Sequence, residues 1–344
     1  MSLATVVAAA MFVGVIAYAL LGGADFGSGF YDLTAGGGQR GAELRTLIDQ
    51  SIGPVWEANH VWLVYVLVMW WTGFPKAFAA ATTTLFIPLM VALAGIVLRG
   101  ASFAFRKFAA TYGQARLFGA VFAGSSLITP FFFGTVVGAI ASGRVPAAGY
   151  GEPIGSWVNP TSLVGGCLAT TTCVFLAGVF LTGDATRMRN TELAERLRIR
   201  TLMVGLVAGL IVFAGLYPVR HDAPTLSHGL LGRALPLLVV AALAGTVTLV
   251  LLYRRSLAAN VHGRSFPIAR IFAATAVTAV VAGWGVGQYP WMLVDQMSIA
   301  DAAGATTTLA ALLVVVVLAA VIVLPALSYL LWFTLHTRAG SPQQ

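Results

Sequence analysis

The sequence predicts an all-α polytopic membrane protein, one transmembrane helical domain over residues 1–344 that crosses the bilayer about nine times. Three observations carry that prediction. Long apolar runs recur along the whole chain. Charged residues make up only 9% of it and hydrophobic residues 58%, with a mean hydropathy of +0.88, whereas a soluble domain is about 25% charged. Lys and Arg gather in alternate loops. A chain this apolar has too little polar surface to face water, so the bilayer is its expected solvent.

Each span needs about 20 mainly apolar residues. In lipid the backbone must satisfy its own hydrogen bonds, so these runs are expected as helices. They fall near 4–22, 55–72, 78–98, 117–141, 162–182, 200–217, 234–252, 268–287 and 306–335. The first has no Lys or Arg before Arg40, so it lacks the basic start of a cleaved signal peptide and is read as a retained helix. The second opens after Pro54, a residue that suits a helix start. Pro88, Pro130 and Pro325 fall inside spans, where each removes a backbone donor and is expected to kink its helix. The last run is long enough to tilt or to emerge from the membrane. The loops after the first and fourth spans are the longest, and neither can form a core. The segment 183–199, GDATRMRNTELAERLRI, is charged and can form a short surface helix, but it is read first as a solvated cytoplasmic connection. Cys167 and Cys173 stand on different faces of one helix and are read as small buried side chains, not as a disulfide or a metal pair.

The net charge of +8 follows topology rather than nucleic-acid binding. Loops after odd-numbered spans, with the C-terminus, hold Arg40, Arg45, Arg99, Arg106, Lys107, Arg116, Arg187, Arg189, Arg196, Arg198, Arg200, Arg254, Arg255, Arg264, Arg270 and Arg338. The remaining loops hold Lys76, Arg144, Arg220 and Arg233. Basic loops stay in the cytoplasm. This bias of sixteen to four predicts the N-terminus outside and the C-terminus inside, which needs an odd number of spans.

The acids near the spans are the informative chemistry, because an ionised carboxylate in lipid is costly and faces protein or a water path. Asp25 follows Gly22 and Gly23 where the first span reaches the cytoplasmic side; those glycines suit close helix approach or an unwound end. Glu57 falls in the first turn of the second span. It reads either as a carboxylate pairing with the helix dipole or as one member of a proton-passing group with Asn59 and His60. Glu57 and His60 also form Glu-x-x-His, but a di-iron site needs a second copy of that motif, and the sequence has none. Of five histidines only His60 and His336 touch spans, which leaves axial ligands for one haem at most. The tryptophans Trp70, Trp71, Trp157, Trp284, Trp291 and Trp332 cluster near span ends and read as an interfacial belt. No Walker motif, GxSxG or Cys–His metal spacing occurs.

Six segments carry a family resemblance: GADFG at 23–27, IGPVWEANHVWL at 52–63, FPKAFAA at 74–80, LRGASFAFR at 98–106, WVNPTSLVGG at 157–166 and GWGVGQYPWML at 283–293. In these segments, which are spread in family order from residue 23 to residue 293, the sequence resembles subunit II of the cytochrome bd family of quinol oxidases. The resemblance implies a heterodimer in the bacterial cytoplasmic membrane that oxidises quinol and reduces oxygen to water with cytoplasmic protons. It implies that the partner, subunit I, carries the quinol site, two b-type haems and one d-type haem. Subunit II carries no haem or metal; in some members it holds a structural quinone, and a small accessory subunit has room beside the pair. The resemblance puts Glu57 and Asp25 on the family's acidic positions, with Asn59 and His60 beside them as a proton pathway. Trp56, Trp62, Arg99 and Arg106 fall in the matched segments as interface or structural residues. Family members often carry Asp where Glu57 stands.

Two other classes compete. A secondary transporter or channel would place its charged site near the midplane, whereas Asp25 and Glu57 lie near one face. A purely structural assembly subunit would not depend on Glu57. The topology itself is testable: a reporter fused after Arg338 is expected to give a cytoplasmic signal, and an external one would reverse the side assigned to both acids.

Overall fold

The computed structural model describes residues 2–52, 56–106, 108–254 and 265–337. Thirteen helices and one small hairpin make up the described chain, in the order α1 (Leu3–Leu33), α2 (Gly38–Ile52), α3 (Trp56–Gly73), α4 (Pro75–Thr84), α5 (Phe86–Arg106), α6 (Tyr112–Ala141), α7 (Pro160–Arg187), α8 (Thr191–Asp222), α9 (Pro224–Leu231), α10 (Leu235–Arg254), α11 (Ser265–Gln288), β1 (Trp291–Leu293), β2 (Met297–Ser298), α12 (Ile299–Ala302) and α13 (Thr306–Thr337). Among the described residues eight helices are long and apolar enough to span a membrane, and the α3–α4 pair makes a ninth if counted as one broken span. This is the predicted all-α architecture.

α1 runs through the middle. Ser2 caps it by accepting the Thr5 N–H. Its 31 residues reach about 46 Å at 1.5 Å per residue, well beyond a hydrocarbon core of roughly 30 Å. The helix therefore has two distinct ends, called here the Ser2 end and the Leu33 end. α1 packs against α3, α6, α7, α11 and α13. The α1–α7 approach is close because Gly27 lacks a Cβ, which would stand 1.9 Å from the Cys173 carbonyl oxygen. At the Ser2 end, Val7 and Met11 form a core with Phe74, Ala77, Leu85, Leu293 and Leu309. At the Leu33 end, Tyr31 packs with Leu47 and Ile48 of α2, Phe103 of α5, Phe122 of α6 and Leu197 of α8.

Several expected boundaries move. The run at 78–98 is not one span: α3 and α4 meet at a bend of 116°, and the next spanning helix starts at Phe86. The Gly73-Phe74-Pro75 sequence breaks the ladder, and Gly304 N–H closes the gap by donating to the Gly73 carbonyl (2.8 Å). Pro88 therefore does not kink a span. It lies in the first turn of α5, where a missing N–H costs nothing. Pro130 and Pro325 do lie inside helices. Asp25 is not at an unwound end, since α1 continues in register to Leu33; close helix approach is what the glycines provide. The loop after the first span is largely α2, and 183–199 is mostly the extended ends of α7 and α8, with only 188–190 outside a helix. Cys167 is exposed and Cys173 half-buried, and both are free.

Gly27→Ala is expected to cost about 3 kcal/mol or more, because the clash is with backbone and cannot be relieved by a rotamer change. Gly119→Ala, with nothing within 4 Å of a Cβ, serves as the neutral control. Membrane yield and thermal aggregation of the two variants check this; equal behaviour would refute the close α1–α7 contact.

Candidate functional site

A buried polar cluster lies where α1, α3, α5 and α6 meet. Asp25 is 3% exposed and Arg99 1%. Arg99 Nη2 donates to Asp25 Oδ1 at 2.6 Å and to the Asp25 carbonyl at 3.3 Å, while its Nε donates to Ser126 Oγ at 3.0 Å. Ser126 Oγ donates onward to the Phe122 carbonyl (2.6 Å). The guanidinium carbon sits 5.0 Å from the rings of both Phe26 and Phe122, so the cation lies between two aromatic faces. Asp25 Oδ2 is buried with no hydrogen-bond partner. Asn59 and His60 of α3 are close enough to act on this carboxyl. Asn59 is itself buried and donates to the Leu21 carbonyl at 3.2 Å, which holds the start of α3 onto α1. His60 is half-buried; its Nδ1 lies 3.5 Å from Tyr18 Oη, and its ring centroid is 6.1 Å from that of Phe26.

A second cluster sits seven residues further along the same two helices. Asp32, 4% exposed, accepts from Arg106 Nη1 at 2.9 Å and from Arg45 Nε of α2 at 3.1 Å. Asp25 to Asp32 and Arg99 to Arg106 are both steps of seven residues, about two helical turns. α1 and α5 run in the same direction, so equal steps produce two rungs of one ion-pair ladder. Asp32 and Ser126 did not stand out in the sequence. The matched spacing of two acids and two arginines was the available signal, but it is informative only once the two helices are known to be neighbours.

Glu57 stands apart from both rungs. It is exposed in the first turn of α3 and heads an outward stripe with Val61, Val64, Val68 and Trp71. Of the other sequence candidates, Trp62 packs edge-on to Tyr65 with ring centroids 6.3 Å apart, and Tyr65 donates to the Ala10 carbonyl at 2.9 Å. The side chains of Trp56 and His336 lie outside the described residues. Among the described residues no three His, Cys, Asp or Glu come together as a metal site. An apolar groove of about 360 Å³, lined by Leu127, Phe131, Cys167 and Ile211 among others, opens elsewhere on the surface and offers no charged group.

Residues 3–334 match the sequence profile of the family described as cytochrome bd terminal oxidase subunit II. The chain belongs to this family. It is 28% identical over 223 residues to cytochrome bd ubiquinol oxidase subunit 2 of Bacillus subtilis, covering 63% of this chain and 62% of that protein. It is also 28% identical over 211 residues to cytochrome bd-I ubiquinol oxidase subunit 2 of Escherichia coli K12, covering 58% and 52%. The chain thus aligns with rather more than half the length of these relatives. The fold matches a chain in the structure of bd oxidase from Geobacillus thermodenitrificans with a TM-score of 0.79 at 24% identity, over 98% of this chain and 99% of that one. As a subunit II chain it is a multi-pass membrane protein.

The buried pair sets a stability test. Arg99→Ala leaves Asp25 buried without its cation, a change that costs about 3–5 kcal/mol for a desolvated pair. Arg99→Ala is expected to deplete the protein from membranes, and Asp25→Asn combined with Arg99→Met is expected to recover part of the loss. Normal yield and melting of Arg99→Ala would show that the pair does not hold α1 to α5.

Proposed function

We propose that this chain is the haem-free subunit of a cytochrome bd-type quinol:oxygen oxidoreductase, which stabilises a haem-bearing subunit I and supplies part of its proton route from the cytoplasm. Family membership supports the complex. The observation that carries the proton role is the arrangement of the first turns of α3. Glu57 faces outward, while Asn59, two residues on, bonds the Leu21 carbonyl of α1, and His60, three residues on, lies against Tyr18 and against Phe26, the neighbour of the buried Asp25. One helix end thus joins an outward carboxyl to an inward polar cluster.

The haems of subunit I supply electron transfer and oxygen reduction when bound there; this chain's residues handle protons. Oxygen reduction to water consumes protons, and the low-dielectric protein around a buried centre blocks their free entry. Titratable groups along a path lower that barrier. Glu57, at the end of α3 that the basic loops assign to the cytoplasm, can take up a proton. His60, three residues on and so on a neighbouring part of the same helix surface, can pass one through its ring nitrogens. Asp25 Oδ2, buried and free of hydrogen bonds, is an acceptor held in place by Arg99. An outward carboxyl above an apolar stripe would be poorly placed against lipid alone, which favours subunit I as the surface that covers it.

A purely structural role is the second reading. The buried pairing of Asp25 Oδ1 with Arg99 favours it, because such a pair specifies how α1 and α5 dock without any proton moving. Glu57 separates the two. Glu57→Gln keeps the shape and removes the titration. With haem content intact, oxygen uptake per haem is expected to fall roughly tenfold or more, and Glu57→Asp to be milder. Wild-type turnover in Glu57→Gln would leave only the structural role, and loss of haem together with activity would also favour it.

A further inference from the structure

We infer that Tyr18 is a positioning residue for His60: its hydroxyl holds the imidazole in the orientation in which it relays a proton. The inference deepens the proton-transfer reading of Glu57 and His60 and rests on it. Tyr18 stands on α1, seven residues before Asp25, which is about two turns. Its Oη lies 3.5 Å from Nδ1 of His60 on α3, and the two ring centroids are 6.1 Å apart. The Tyr18 ring itself is set by packing. Phe26 of α1 and Phe133 of α6 meet it edge-on, with centroids 6.3 and 6.2 Å away. Gly22 keeps the space beside it, since a Cβ there would stand 2.9 Å from the ring. A ring fixed on these sides presents its hydroxyl to His60 from a defined point on α1.

The bond is not needed to dock α3. Asn59 donates to the Leu21 carbonyl at 3.2 Å and Tyr65 to the Ala10 carbonyl at 2.9 Å, so contacts on either side of His60 already fix the helix to α1. A neutral hydrogen bond as long as 3.5 Å adds little to that docking. What the two backbone contacts leave open is the rotation of the His60 ring about its own side-chain torsions. Phe26 limits it on one side, with centroids 6.1 Å apart, and Tyr18 supplies a polar contact. A relaying imidazole alternates between neutral and charged forms. A phenol donates to Nδ1 when that nitrogen is bare and accepts from it when it carries a proton. The Tyr18 bond therefore persists in both forms, whereas a group that only accepts or only donates would lose one of them. A misplacement of about 1 Å in a reacting group can cost a large factor in rate, so the hydroxyl matters more to turnover than to stability. Tyr18 itself transfers no proton.

The test uses the purified two-subunit complex carrying Tyr18→Phe, which removes the hydroxyl and keeps the ring against Phe26 and Phe133, or His60→Gln, or both. Expected for Tyr18→Phe are full haem content, an unchanged KM for quinol and a drop in kcat of about three- to tenfold. The His60 Nδ1 resonance, assigned in nitrogen NMR of the histidine-labelled complex by its loss in His60→Gln, is expected to shift in Tyr18→Phe. The double variant is expected to be no slower than His60→Gln alone, because Tyr18 acts only through His60. If His60→Gln is slow while Tyr18→Phe keeps wild-type turnover, or if the double variant is slower still than His60→Gln, the positioning role is refuted and the route through His60 stands. If His60→Gln is not slow, the route through His60 fails, and the resonance alone then decides the bond: a shift in Tyr18→Phe sustains it and no shift overturns it.

Discussion

The burial of Arg99 against Asp25 is the constraint to which the other contacts around this site answer. A guanidinium and a carboxylate that are each 2% exposed by side chain have given up nearly all hydration, a penalty of several kcal/mol per ion that mutual attraction offsets only with good geometry. The structure supplies that geometry through backbone approach. Gly29 on α1 faces Ser126, with a would-be Cβ 2.4 Å from the Ser126 Cβ. α6 can therefore lie close enough to α1 for Ser126 Oγ to take the Nε–H of Arg99 while Nη2 takes Asp25. The aromatic faces of Phe26 and Phe122 then close over the cation. Lipid cannot drive helices together by the hydrophobic effect, since its tails are as apolar as leucine. Small residues and satisfied polar groups do that here, and they do it at the same place.

The two ends of the bundle use charge differently. At the Leu33 end, aspartates collect more than one cation: Asp32 holds Arg45 and Arg106, and Asp184 holds Arg270 with Arg187 3.7 Å away. Arg198 bridges Glu195 and the Leu252 carbonyl, linking α8 to α10. Two arginines stand against each of the two aspartates, so the pairs stay net positive. At the Ser2 end the pairing is neutral and local. Arg144 binds Asp222, whose other oxygen accepts the Thr161 N–H at the start of α7 (3.1 Å). The β1–β2 hairpin, α9 and α12 close that end with backbone hydrogen bonds instead.

Hydropathy made the helices legible, because in lipid an apolar run of sufficient length has no alternative to a helix. It did not make their ends legible. The run at 78–98 looked continuous because hydropathy is blind to direction, so a bend of 116° leaves no trace in an average; Gly73, Pro75 and Pro88 were the signal. The charged segment 183–199 reads either as a solvated loop or as a short surface helix, and what favours the helix is its spacing: two i,i+3 pairs, Asp184 with Arg187 and Glu195 with Arg198, and one i,i+4 pair, Glu192 with Arg196, all natural to a helix outside the membrane. Asn59 and His60 were legible as near neighbours of Glu57 because they follow it within one turn of α3, but the sequence does not show that they turn toward α1 while Glu57 is exposed. Asp32 and Ser126 were not legible, because their importance depends on which helices are neighbours.

The proposed roles account for the contrast between the buried Asp25 and the exposed Glu57. A group that fixes helix docking must be dry, and Asp25, buried, gives one carboxylate oxygen and its own carbonyl to Arg99. On the proposed reading Glu57 delivers protons to another subunit, which requires it to reach the surface of its own, and Glu57 is exposed. α3 can serve both needs in one turn because successive residues advance about 100° around a helix. Glu57 and Asn59 therefore point to nearly opposite sides, with His60 between boundary and core. The contact that holds this turn in place, Asn59 to the Leu21 carbonyl, is made by the inward side chain alone.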